Sequence, residues 1–121
     1  MRVIDNAGIR KRHIVSPVEQ IIRKRPLAEI SQEYKKHSVR LGRQVAGDCL
    51  MRAGLHAAEV DLVITVSCTG FMIPSLDAYL ANELGFRPDI RRLPITELGC
   101  AAGASALARA REFVLAFPGS N

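Results

Sequence analysis

The stretch DLVITVSCTGFMIPSLDAYLANELGFRPDIRRLPITELGC, residues 61–100, decides the fold. It opens on DLVITVS (61–67), an unbroken β-branched and aliphatic run of the kind found in strands covered on both faces, as in a parallel sheet flanked by helices. Gly70 and Pro74 then mark a loop, Ser75 supplies a helix cap, a helix spans about 76–84, and Gly85 ends it. A second short strand follows in RRLPITEL (91–98), and then a helix rich in small residues in AAGASALARAREFVLAF (101–117).

Toward the N-terminus, SPVEQIIRKRP carries a helix start. Ser16 is the expected cap, Pro17 the first helical position and Glu19 the partner of a capping box, so a short helix is expected from about 17 to 25, stopping near Pro26. A longer helix is expected from about 31 to 53, ended by Gly54. Its apolar register runs through Tyr34, Leu41, Val45, Cys49 and Ala53, which makes Cys49 a core residue and leaves Lys35, Lys36, Arg40, Arg43 and Arg52 to the other faces. Helix, strand, helix, strand, helix is an α/β alternation. The chain closes on FPGSN, a turn signal where such a fold would begin its next strand, and no strand signal precedes the first helix. Both ends therefore read as positions inside a larger fold.

Composition narrows the class. A chain of 121 residues supports one core, and 48% hydrophobic with 24% charged residues is ordinary for a folded domain. Aromatics are only 5%, with no Trp, so the core is aliphatic and alanine-rich. The longest apolar run is far shorter than the roughly 20 residues of a bilayer span, and the first residues lack a signal-peptide pattern, so a cytoplasmic chain is expected. Cys49, Cys68 and Cys100 are odd in number and widely spaced, which fits neither a disulfide framework nor, with His13, His37 and His56 equally dispersed, a metal site. The net charge of +5 is uneven: residues 1–52 hold 12 Lys and Arg against 5 Asp and Glu, residues 53–121 hold 5 against 7. Without interleaved aromatics or a nucleic-acid motif, a solvated basic face or a polyanionic small ligand is favoured over nucleic acid.

Cys100 is the residue with the most chemistry to offer. It follows a strand and starts a helix, where free N–H groups and the helix dipole favour a thiolate. Gly99, Ala101, Ala102, Gly103 and Ala104 keep side chains away from the sulfur. Small neighbours also permit tight helix packing, and cysteine is often simply buried, so on the residues alone Cys100 is either a nucleophile or a buried spacer. Cys68, at the end of a buried strand, is likewise either core or cavity lining.

The segment VDLVITVSCTGFMIPSLDAYLANELGFRPDIRRLPITELGCAAGASAL (60–107) resembles the heart of the type III polyketide synthases, the chalcone and stilbene synthase family, in its bacterial form. The strand, the TG loop with its proline, the helix ending in LG, the loop with Arg and Pro and the Gly-Cys-x-x-Gly motif match in order and spacing, and NAGIRKRHIVSPVEQII extends the likeness upstream. The resemblance implies an α/β fold in which residues 1–121 are part of the N-terminal half of a thiolase-like domain, with helices flanking a mixed sheet. It implies an acyltransferase: Cys100 takes a starter acyl group from acyl-CoA, and malonyl-CoA units are added by decarboxylative condensation, with CoA thioesters as substrates and no further cofactor. By position, Cys68, Thr69 and Gly99 line the substrate cavity, Ile73 reaches into the partner's cavity of a homodimer, and Arg2, near Arg10, Lys11 and Arg12, contacts the CoA phosphates. No nucleic acid, membrane or metal partner is implied. The family's catalytic His and Asn have no counterparts in these residues, so the fragment alone is expected to be inactive. A 3-oxoacyl-(acyl-carrier-protein) synthase III-like condensing enzyme, or a non-catalytic remnant, is the alternative.

Overall fold

A computed structural model describes residues 5–70 and 72–121. Helix α1 (Val18–Ile22) and helix α2 (Leu27–Ala53) each begin directly after a proline, Pro17 and Pro26, whose fixed φ of −54° and −59° suits a helix start. Pro17 is thus itself the cap, and no Ser16–Glu19 capping box forms around it. α1 also ends earlier than the sequence suggests: Arg23, three residues before Pro26, is already extended (ψ 135°). α2 in turn starts four residues earlier than expected, because Pro26 opens a helix rather than only closing one. Its first turns are tied by Arg25, which bonds Glu33 and lies 3.8 Å from Glu29, and by an Arg23–Glu29 pair at 3.0 Å.

The two glycine stops hold. Gly54 and Gly85 adopt left-handed φ values of 67° and 69°, and their N–H groups return to carbonyls of the preceding turn. Between them lie a 3-10 turn (Ala57–Glu59), strand β1 (Leu62–Ser67) and helix α3 (Leu76–Leu84). Strand β2 (Arg91–Thr96), a second 3-10 turn (Gly99–Ala101) and helix α4 (Ala102–Ala116) complete the order. β1 and β2 pair in parallel, from Leu62 opposite Arg91 to Ser67 opposite Thr96. Parallel strands need a crossover, and α3 is that crossover.

Two adjacent arginines show that helices cover both faces of the sheet. Arg92 reaches the Asp77 carboxylate on α3 at 3.1 Å, whereas Arg91 points the other way and lies over the rings of Phe113 and Phe117 at 5.3 and 4.1 Å. Asp77 is 1% exposed, and Thr65 Oγ1 also donates to it at 3.4 Å, so the buried carboxylate is both paired and hydrogen-bonded. Val60, Leu80 and Ala102 are the buried apolar residues among those described.

α2 packs on α3 through a face that apolar periodicity does not reveal. The half-buried stripe runs Tyr34, Ser38, Gly42, Ala46 and Leu50, while Leu41 (38% exposed), Val45 (66%), Cys49 and Ala53 face outward. Cys49 is therefore not a core residue here. Small side chains win the contact because they let the helices close: a Cβ on Gly42 would sit 3.1 Å from Leu80 Cδ2.

At the start of the sheet, Asp61 gathers distant segments. Its carboxylate accepts from Arg87 at 2.9 Å and from the Asn121 amide at 3.0 Å, while the Asp61 and Leu62 amides donate to the Asn121 carbonyl at 2.8 and 3.2 Å. The turn after α4 thus returns to the edge of β1 that β2 leaves open. The Asn121 amide first, and Arg87 next, hold the Asp61 carboxyl below its ordinary value.

The accessible surface is 9478 Å², against about 6,400 Å² for a compact monomer of 13.3 kDa. Ile14, Ile22, Leu27, Leu107, Leu115 and Phe117 all stand exposed. Apolar area of this extent is normally covered.

Two expectations follow from this packing. Gly42→Val is expected to cost about 1–3 kcal/mol by overpacking against Leu80, read as a lower urea midpoint. Because Asp61 has a lowered folded pKa, its contribution is present above its ordinary value near 3.8 and is lost as pH falls through that value toward the folded one. Asp61→Asn is expected to flatten the acid side of the stability profile as pH falls below about 4, where a lowered carboxylate loses its contribution.

Candidate active site

The parallel register puts the carboxyl ends of β1 and β2 side by side, since Ser67 pairs with Thr96. The two loops that carry Cys68 and Cys100 therefore leave the same end of the sheet, the end where open parallel sheets bind ligands. A cleft of about 390 Å³ opens there. Its walls come from β1 and the following turn (Thr65, Ser67, Cys68, Thr69, Gly70), from the end of β2 (Thr96, Glu97) and from Tyr34 on α2.

Cys68 and Thr69 thus stand together on this wall, and Cys68 is an exposed residue. Gly99 and Cys100 are not among the lining residues; they follow Glu97 in the chain. Ile73 lies outside the cleft and is 80% exposed. Arg2 falls outside the described residues, and Arg10, Lys11 and Arg12 are all exposed.

Cys100 sits in the 3-10 turn that leads directly into α4 and is exposed rather than a buried spacer. The turn is built on two left-handed residues, Glu97 (φ 66°) and Gly99 (φ 53°). For glycine this conformation is free, but for Glu97 it costs roughly 1–2 kcal/mol. The Ala101 amide closes the turn on the Leu98 carbonyl at 3.3 Å. Such strain concentrates where a side chain must be held out from a scaffold. Cys100 thus stands two residues before the first residue of the 15-residue helix α4, beside its N-terminal end.

The histidines take other places. His56 caps the Ala57–Glu59 turn, His37 lies within α2, and His13 is exposed in the N-terminal segment. None lines the cleft. Among the described residues no three His, Cys, Asp or Glu side chains cluster as metal ligands, and no helix is long and apolar enough to cross a membrane.

Two features of this region escape the sequence reading. The strained Glu97 has no signal in residue type, because left-handed backbone favours Gly or Asn over Glu. Tyr34 reaches the cleft from 33 residues away, a contact no local pattern announces.

Comparison with known proteins fits this geometry. The family model described as chalcone and stilbene synthases, N-terminal domain, matches residues 1–121. The 1,3,6,8-tetrahydroxynaphthalene synthase of Streptomyces griseus is 42% identical over 121 residues, covering 100% of this chain and 32% of that protein. The phloroglucinol synthase of Pseudomonas fluorescens is 37% identical over 112 residues, 93% of this chain and 32% of that protein. The crystal structure of 1,3,6,8-tetrahydroxynaphthalene synthase from Streptomyces coelicolor, a bacterial type III polyketide synthase, superposes with a TM-score of 0.89 at 42% identity, covering 98% of this chain and 34% of that one. The chain spans about a third of the length of these relatives.

The strain at the Cys100 turn is open to measurement. Glu97→Asn is expected to raise stability by about 0.5–1 kcal/mol, because Asn tolerates the left-handed backbone, and Gly99→Ala to lower it by about 1 kcal/mol. Shifts of the urea midpoint in opposite directions at unchanged m value would show both.

Proposed function

Since the chain belongs to the chalcone and stilbene synthase family of type III polyketide synthases and carries part of its thiolase-like α/β fold, we propose that it supplies the nucleophile of a decarboxylating condensing enzyme. The observation that carries this reading is Cys100, exposed on a strained turn ahead of α4, at the sheet end that also presents Cys68 and Thr69. On this reading residues 1–121 are part of an N-terminal thiolase-like domain.

The reaction begins with the Cys100 thiolate attacking the thioester carbonyl of a starter acyl-CoA. A carbon–sulfur bond forms to the enzyme, and CoA leaves as its thiol after taking a proton. Malonyl-CoA then loses carbon dioxide, and the electron pair left on its α-carbon attacks the enzyme-bound thioester. A carbon–carbon bond forms, the Cys100 thiolate is released, and the product remains on CoA for the next round. The tetrahedral oxyanions need donors, a role we assign to the family's His and Asn, which have no counterparts in this sequence. The isolated fragment is accordingly assigned no turnover.

The flanking residues take supporting roles. Cys68 and Thr69 line the cleft taken here as the acyl cavity. Gly99 is assigned to the same cavity from its place beside Cys100 in the sequence, and Arg2, outside the described residues, is assigned to the CoA phosphates. Ile73, apolar and 80% exposed, is assigned to the cavity of a second subunit in a homodimer. The substrates are CoA thioesters in the cytoplasm, with no metal or other cofactor.

The test is acyl transfer. Incubating the complete translated polypeptide with acetyl-CoA or a longer acyl-CoA is expected to add the acyl mass to the peptide containing Cys100. Cys100→Ala is expected to abolish the adduct with the fold retained, since alanine suits the small neighbours, whereas Cys49→Ala retains it. An adduct that survives Cys100→Ala, or a folded protein with none, would overturn the assignment.

A further inference from the structure

Tyr34 is the one Phe, Tyr or Trp of α2, and it stands at the N-terminal end of the half-buried stripe whose middle is made of the small residues Ser38, Gly42 and Ala46. Its ring is not spent on the contact between helices. It forms part of the cleft wall and packs against Gly70, where the ring occupies the space that a Cβ would need. Its hydroxyl is hydrogen-bonded to Ser67 Oγ, and Ser67 Oγ donates to the Gly70 carbonyl at 3.0 Å. A serine hydroxyl has a single hydrogen, so with that hydrogen committed to Gly70 the phenol donates to Ser67. Tyr34 therefore grips both ends of the four-residue turn Ser67–Gly70, by a hydrogen bond at the first residue and by ring contact at the last. Cys68 and Thr69 are the two residues held between.

We propose that Tyr34 is a positioning residue: acting through Ser67 and Gly70, it fixes the wall that Cys68 and Thr69 present and so limits the length of acyl chain the cleft accepts. This rests on the reading of Cys68 and Thr69 as acyl-cavity residues. The latch joins α2 to the carboxyl end of β1, so the cavity wall is referenced to the outer helix rather than to the sheet alone. Removing the phenol hydroxyl frees the turn without deleting the ring, and removing the Ser67 hydroxyl breaks both bonds at once. Ser67→Thr keeps an oxygen at the same place and is expected to preserve the latch.

The experiment uses the complete translated polypeptide in wild-type form and as Tyr34→Phe, Ser67→Ala and Ser67→Thr. Amide exchange is followed in the peptide spanning 66–73 and, as an internal reference, in α4. Cys100 acylation rates are measured with acetyl-CoA and lauroyl-CoA. Tyr34→Phe is expected to speed exchange in 66–73 by about fivefold, the population change that one ordinary net hydrogen bond allows, and Ser67→Ala, which loses both bonds, by at least as much, with α4 unchanged. Both are expected to raise the lauroyl-to-acetyl rate ratio severalfold, while Ser67→Thr stays within about twofold of wild type in both readouts. Unchanged exchange in Tyr34→Phe and Ser67→Ala would overturn the latch, and faster exchange with an unaltered chain-length ratio would overturn its part in selectivity. Where Tyr34→Phe fails to fold, Ser67→Ala decides. A wild-type protein that takes no acyl group at Cys100, yet shows the exchange difference, would sink the proposed reaction and leave the latch as a constraint on the turn.

Discussion

The parallel pairing of β1 with β2 is the constraint on which the rest of the structure depends. Parallel neighbours cannot be joined by a hairpin, so the chain must travel back along the sheet, and α3 is the path it takes. Once that crossover is in place, both strands end at the same edge, and the segments after Ser67 and Thr96 are delivered there together. The chemistry assigned to Cys100 and the wall formed by Cys68 and Thr69 follow from that shared direction, not from any proximity in sequence. One buried carboxylate pins the arrangement: Asp77 on the crossover helix holds the half-exposed Arg92 of β2 and Thr65 of β1, so it fastens the helix to both strands it connects.

Packing on the outer layer obeys a different rule. α2 approaches α3 mainly through glycine, serine and alanine, while Leu41 and Val45 are turned outward. Burial of small residues gains less from the hydrophobic effect than burial of leucines would, but it permits closer backbones and more dispersion contacts per unit length. The exposed stripe of Leu41 and Val45 belongs with the wider excess of accessible apolar surface. In this chain much of the aliphatic composition is not yet core.

The sequence makes the element order legible because glycine and proline punctuate it. Gly54 and Gly85 end helices as their residue type suggests, α3 falls on 76–84, and β1 lies within one residue of its expected start. Pro26 is harder, since the same residue that ends one helix can open the next, and only the extended conformation of Arg23 decides between them. The burial of α2 is not legible from hydrophobic periodicity at all, because the winning contact is made by residues that scale poorly in hydropathy. Cys49 is misassigned to the core for that reason. At the site, Cys100, Cys68 and Thr69 are marked by motif, whereas the left-handed Glu97 and the reach of Tyr34 to Ser67 depend on backbone geometry and on a contact 33 residues apart.

The bonds at Asp61 also say something about the order in which the chain can close on itself. The contact with Arg87 closes a loop of 26 residues, and the contact with Asn121 closes one of 60. Loop-closure entropy grows only logarithmically, so the longer closure costs roughly 0.7 kcal/mol more than the shorter one. Once the strand–helix–strand unit has formed, Asp61 and Leu62 already hold two amides aligned at the sheet's open edge, and the carbonyl of Asn121 meets both. The return of the chain after α4 therefore carries only a small added entropic penalty, and it meets a docking edge that the strand–helix–strand unit itself presents.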